Sequence, residues 1–182
     1  MDTKQQILDI RKVCGYDFIK MASFYNDKPI EATFNGKKLD NYTLAIHFIN
    51  DEFLKAEQST YLVFENDELI YAGYYSTSFE DRWIKKQSGI YYCWHSENID
   101  NYIKNSQSID KFSIWITLNP YAKTDDGKIV NISKVIEDTI ISNIKPSRNK
   151  VGKTLKENQK NTKSAKEILK SIWEVTMKIK PQ

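Results

Sequence analysis

A chain of 182 residues has the size of one domain with a sizeable core and is too short for two ordinary domains and a linker. Hydrophobic residues make up 40% and charged residues 28%, mean hydropathy is −0.59, and no apolar run approaches the roughly 20 residues of a membrane-spanning helix, so a soluble protein is expected. The net charge of +3 is unevenly spread: from Lys145 onward eleven Lys or Arg stand against three Glu, which leaves sixteen basic and twenty-one acidic residues in the rest.

The opening Met1-Asp2-Thr3-Lys4-Gln5-Gln6 lacks the apolar stretch of a secretory signal, which points to the cytoplasm. Ile7, Ile10 and Val13 recur at helical spacing and predict a helix over 3–13 that Gly15 ends. Turn residues at Asn26-Asp27 and Asn35-Gly36 predict a loop or small hairpin over 24–39. Leu44, Ala45, Phe48, Ile49, Phe53 and Leu54 share one helical face, which predicts a helix over 41–55 and a mainly helical region over 1–57. Cys14 and Cys93 offer neither a disulfide framework nor metal-ligand spacing.

Residues 60–64 and 69–74 are β-prone runs joined by four polar residues, a hairpin. Ser78 can cap a helix that carries Arg82 and stops at Gly89, and a further helix is predicted over 97–104. Phe112 to Leu118 alternates and predicts a third strand, followed by a polar loop over 121–130. Ser133 then caps a helix from Lys134 to Asn143, ended by Pro146. Residues 163–178 form a last amphipathic helix with Ile168, Leu169, Ile172 and Trp173 inward, expected to pack on the body.

The order of these pieces resembles the GIY-YIG nuclease superfamily. Ser59-Thr60-Tyr61 stands at the Gly-Ile-Tyr position and Tyr71-Ala72-Gly73 at Tyr-Ile-Gly, with nine residues between the two tyrosines. Phe79-Glu80-Asp81-Arg82-Trp83 looks like the family's arginine helix, and Cys93-Trp94-His95-Ser96 like the segment that supplies a histidine in the homing branch. Ile136-Glu137-Asp138-Thr139, followed by Pro146-Ser147-Arg148-Asn149, resembles the metal-binding glutamate helix and its Pro-x-x-Asn ending. The match covers 59–149, about half the chain. A rival register, Gly89-Ile90-Tyr91 with Tyr102-Ile103-Lys104, is rejected because no arginine follows it before Arg148.

The resemblance implies an α+β fold with a small three-stranded antiparallel sheet flanked by helices, a ββαβα core over 58–149, with the helical region over 1–57 before it and a basic extension over 150–182 packed on it. It implies a metal-dependent DNA endonuclease, of restriction type because no linker-joined DNA-binding domain is present. Glu137 would hold Mg²⁺ or Mn²⁺, since a hard cation that keeps most of its waters needs only one carboxylate. Arg82 would hold the non-bridging phosphate oxygens with its charged fork. Tyr61 or Tyr71 would be the general base, His95 would contact phosphate or relay a proton, and Asn149 would fix local geometry. Lys85, Lys86, Arg148, Lys150, Lys153 and Lys156 are the expected contacts to double-stranded DNA. Double-strand cleavage suggests a homodimer or successive nicking. The alternatives are a non-cleaving nucleic-acid-binding module, and a homing, mobile-element or repair nuclease subunit.

Departures from the family pattern are Ser59-Thr60 in place of Gly-Ile, and Lys86 four positions after the arginine, where one branch carries His or Tyr. They leave open which of His95 and Lys86 fills the second proton-handling role.

Overall fold

The chain first turns at Cys14-Gly15, where both residues have positive φ, 50° and 88°, as a two-residue hairpin turn requires. On either side of it β1 (Ile10–Val13) and β2 (Tyr16–Phe24) pair antiparallel, from Val13↔Tyr16 to Ile10↔Ile19. Over the described residues, from 8 on, this overturns the helix expected over 3–13. Gly15 supplies a left-handed turn rather than a helix end, and the threefold spacing of the apolar residues is carried by a short strand. The computed structural model describes residues 8–25, 30–34, 37–41, 44–46, 51–87, 90–93, 98–118 and 120–149.

Next, β3 (Ile30–Phe34) and β4 (Lys37–Asn41) form the hairpin expected over 24–39. The helix expected over 41–55 does not form as such. Strand β5 (Leu44–Ile46) pairs with the far end of β2, Ala22↔Ile46 to Phe24↔Leu44, and among the described residues of 41–55 only α1 (Asp51–Leu54) is helical. β1 and β5 thus share the outer edge of β2, and pairing to that edge outweighs the helical preference of the segment.

The predicted hairpin is present as β6 (Glu57–Glu65) and β7 (Glu68–Ser78). The helix that Ser78 caps, α2 (Phe79–Trp83), is cut short well before Gly89: Ile84 is extended, and β8 (Ile84–Gln87) pairs with β9 (Ile90–Cys93). α3 (Asn98–Lys104) follows, then β10 (Phe112–Thr117), buried along its whole length because it inserts between β2 and β6. The chain ends its described course in α4 (Ser133–Ile144), closed by Lys145 in the left-handed region just before Pro146.

The main sheet therefore has six antiparallel strands, in the order β1-β2-β10-β6-β7 with β5 also on β2. The small three-stranded sheet flanked by helices is corrected on this point. The expected α+β class with a helical region over 1–57 gives way to a mainly β architecture, in which the described part of that region is almost wholly strand. The physical reason is that β2, unrecognised as a strand, provides an edge that recruits β1, β5 and β10.

Because β6 lies inside the sheet, its residues alternate between two buried faces. Leu62 and Phe64 face α4, where Ile136 and Ile140 are fully buried with Phe18, Ala72 and Trp115. Each such side chain contributes roughly 1.5–3 kcal/mol of burial. Tyr61 and Val63 face the other way, into a larger core with Leu54, Phe79, Trp83, Ile99 and Ile103 from the helices.

Contacts divide the chain into two units, Met1–Pro120 with Asn131–Asn149, and Tyr121–Val130 with Lys150–Gln182. In the second, the loop expected over 121–130 is a ribbon: β11 (Tyr121–Lys123) pairs with β12 (Ile129–Asn131), and Thr124 N–H donates to Lys128 O at 2.8 Å. The amphipathic helix expected over 163–178 lies outside the described residues. Among the described residues no helix is long and apolar enough to cross a membrane.

Candidate active site

The register of the central hairpin sets Tyr61 opposite Gly73, with Tyr71 and Tyr75 at the diagonal positions of the same face. Without a side chain at Gly73 the Tyr61 ring lies down on the strand, stacked between Tyr71 (ring centroids 6.0 Å apart) and Tyr75 (6.1 Å), with Trp83 edge-on at 5.2 Å. A Cβ built on Gly73 would come 2.8 Å from Tyr61 Cε1 and closer still to Cζ and the hydroxyl. Gly73→Ala is therefore expected to destabilise the fold by about 1–3 kcal/mol, since the wedged ring has nowhere to move. That is roughly 2–4 °C of Tm per kcal/mol, read by thermal unfolding. An unchanged Tm would show that the ring shifts freely.

Tyr61 is wholly buried. Burial pushes its hydroxyl far above the ordinary tyrosine range; the charge of Tyr71 adds to this, and Arg82 opposes it without cancelling it. Tyr61 therefore keeps its proton. It shares a hydrogen bond with Tyr71, whose side chain is only half-buried.

Arg82 owes its position to the short helix that follows β7. Ser78 accepts from Asp81 N–H at 3.0 Å and donates to the Asp81 carboxylate at 2.8 Å, while Phe79 and Trp83 anchor the buried side of α2. This turns Arg82 toward the tyrosines, and its Nη2 donates to Tyr61 Oη at 3.4 Å.

Glu137 comes from the opposite face of the sheet, one residue after the buried Ile136. Its side chain is 13% exposed and paired with Lys134, whose Nζ also lies 3.3 Å from Asp138 Oδ1. Burial raises the Glu137 carboxyl, and the pull of Lys134, and more weakly of Arg82, does not fully offset it. A largely buried carboxylate oxygen fits a hard divalent cation that keeps its remaining waters. Among the described residues no group of three His, Cys, Asp or Glu converges, and a cation held here would have Glu137 as its protein ligand.

Asn149 closes the arrangement. Its side chain donates to Ala72 O at 2.7 Å and accepts from Ala72 N–H at 2.9 Å, as a neighbouring strand would, which ties the end of α4 to β7 beside Tyr71. The departures at Ser59 and Thr60 also have a structural account. Ser59 hydrogen-bonds Thr117 at 2.7 Å, and Thr60 donates to Ser133 O at 2.6 Å. Gln58, at φ 50°, accepts at its carbonyl from Ser133 Oγ (2.5 Å) and Asn131 Nδ2 (2.8 Å). These residues, absent from the sequence-based set, pin the start of α4 to β6. Ser133 spends its hydroxyl on that bond, while Asn131 accepts from the Ser133 N–H at 2.9 Å. The signal was two small polar residues where the family pattern has Gly-Ile.

Of the remaining predicted residues, only Arg148 has a described side chain, and it is engaged elsewhere. His95, Lys150, Lys153 and Lys156 lie outside the described residues, as do the side chains of Lys85 and Lys86, whose backbone is on β8 rather than on a helix after Arg82. Arg148 stacks on Tyr102, its Cζ 3.5 Å from the ring centroid. Tyr102, on α3, donates to Glu65 at 2.7 Å, and Lys111 pairs with the same carboxylate at 2.5 Å. Tyr102 is therefore helical and occupied elsewhere, which fits the rejection of the rival register.

Burial raises the Glu65 carboxyl, but Lys111, Tyr102 and Arg148 together hold it below the usual carboxylate range. Its contribution to stability is then present above the unfolded-state value of about 4.3 and lost as pH falls through the lower folded value. Glu65→Gln should lower stability at neutral pH and converge with wild type in acid, measured by urea unfolding at several pH values. Parallel pH curves would exclude that role.

A groove of about 390 Å³ between β1, the β6–β7 turn and the end of α4 shares no residue with the tyrosine, arginine and glutamate cluster. A site that works on an extended polymer backbone needs no enclosed cavity. No known protein family matches the chain, and neither a curated protein nor a solved structure matches it. The functional reading rests on the geometry and on the residue pattern.

Proposed function

We propose that this chain is a divalent-metal-dependent DNA endonuclease that hydrolyses phosphodiester bonds with a GIY-YIG-type active site, of restriction type. The observation that carries the reading is the approach of Arg82 to the Tyr61 hydroxyl at 3.4 Å, within electrostatic reach of Glu137 on α4. Two tyrosines from a hairpin, an arginine from the helix after it and a carboxylate from a later helix follow one another along the chain in the order of the family pattern, which supports the reading.

In this scheme Arg82 holds the non-bridging oxygens of the scissile phosphate and offsets the charge that grows on them. Tyr61, which keeps its proton, donates to Tyr71 and so favours the Tyr71 phenolate, which accepts the proton of the attacking water. Asn149 holds the strand that carries Tyr71. Mg²⁺ or Mn²⁺ on Glu137, when bound, supplies Lewis-acid neutralisation of the phosphate. Two strands are cut by a dimer or by successive nicks.

The test is supercoiled plasmid incubated with the full chain and Mg²⁺, with EDTA as control. Nicking that EDTA stops is the expected result. Retarded but uncut DNA would leave a nucleic-acid-binding module instead.

A further inference from the structure

Lys134 stands one turn before Glu137 on α4, and its ammonium bridges the two neighbouring carboxylates, contacting Glu137 Oε2 and lying 3.3 Å from Asp138 Oδ1. The three side chains differ in freedom. Lys134 and Asp138 are 54% and 43% exposed, and Glu137 is 13% exposed. The pair is thus an exposed cation seated on a largely buried anion.

We infer that Lys134 acts as a tethered counter-ion that holds the place of the catalytic metal on Glu137 and sets the metal affinity of the site. The inference rests on the proposed role of Glu137 as the metal ligand. A desolvated carboxylate without a partner is costly, so Lys134 keeps the site charged and formed while no metal is bound. A divalent cation arriving at the same oxygens meets the ammonium as a like charge at short range and must displace it. Displacement is feasible because Asp138, one residue on and also within reach of Nζ, gives Lys134 a second seat. Lys134 is a positioning residue: it acts on the metal through Glu137 and needs no contact with DNA.

The experiment is Mn²⁺ titration of the full chain by calorimetry, together with the Mg²⁺ dependence of plasmid nicking. Lys134→Met keeps the length and the helix while removing the charge. It should bind Mn²⁺ about tenfold more tightly than wild type, and half-maximal nicking should need correspondingly less Mg²⁺. Lys134→Arg should restore the wild-type affinity, and Glu137→Gln should abolish binding in either background. If Lys134→Met unfolds, Lys134→Gln carries the same expectation. Equal or weaker Mn²⁺ binding by the uncharged variant, in a protein whose binding still depends on Glu137, overturns the counter-ion role and leaves the nuclease reading intact. Absence of Glu137-dependent Mn²⁺ binding in wild type and variant alike would instead sink the metal site itself, and this inference with it.

Discussion

Glu137→Ala is expected to abolish plasmid nicking while leaving DNA affinity within a few-fold of wild type. The carboxylate is the proposed ligand of the metal, so its removal would take away the charge neutralisation that the transition state needs. Ground-state binding depends on other groups, because phosphate contacts supply most nucleic-acid affinity. The helix should tolerate the change. Alanine favours helix, Ile136 and Ile140 still anchor α4, and Lys134 retains Asp138 as a partner. Nicking by the variant above about a tenth of the wild-type rate would remove Glu137 from the mechanism. Loss of DNA binding in a folded variant would make it a binding residue instead.

What could be read in advance was whatever local chemistry decides. The β6–β7 hairpin is flanked by β-prone runs on either side of a short polar turn, α2 begins at a serine whose hydroxyl satisfies a free backbone amide, and α4 ends where Lys145 turns left-handed ahead of Pro146. Each signal lies within a few residues of its effect. The N-terminal strands are decided by the strand they pair with. Ile10 and Val13 become strand because Tyr16 to Phe24 offers an edge, and Leu44 to Ile46 joins the same strand from more than twenty residues away. Nothing in the local spacing of Leu44, Ala45, Phe48 and Ile49 distinguishes a helix face from a strand that has found a partner. α2 ends early because Ile84 to Gln87 pairs with the neighbouring Ile90 to Cys93.

The site shows the same division. Residue types and order put forward Tyr61, Tyr71, Arg82, Glu137 and Asn149 as candidates. They could not rank the two tyrosines, because the difference between them is burial. Gly73 opposite Tyr61 lets that ring sink into the core, whereas Tyr71 stays half-buried. That Lys134 can reach Glu137 follows from their i, i+3 spacing on α4, whereas the burial of Glu137 depends on how α4 is rotated against the sheet.

Burial also decides the second large effect. Tyr71→Phe is expected to lower the single-turnover cleavage rate by roughly a hundredfold or more, the scale of a lost general base. Arg82→Ala should cost about as much through the lost phosphate donor, and Arg82→Lys should not restore it, because an ammonium lacks the planar fork. Tyr61→Phe should cost less, around tenfold, as for a lost supporting hydrogen bond. Its ring would still cover Gly73, and thermal unfolding should show the fold retained. Were Tyr61 the base, its hydroxyl would have to ionise between two tyrosine rings with only Arg82 to favour the charge, and the structure holds its acidity far below that of an ordinary tyrosine. A nearly inactive Tyr61→Phe beside a nearly wild-type Tyr71→Phe would reverse the two roles. If neither change slows cleavage while Arg82→Ala does, the proton is taken by a group outside the hairpin, and the two tyrosines serve only to seat the arginine.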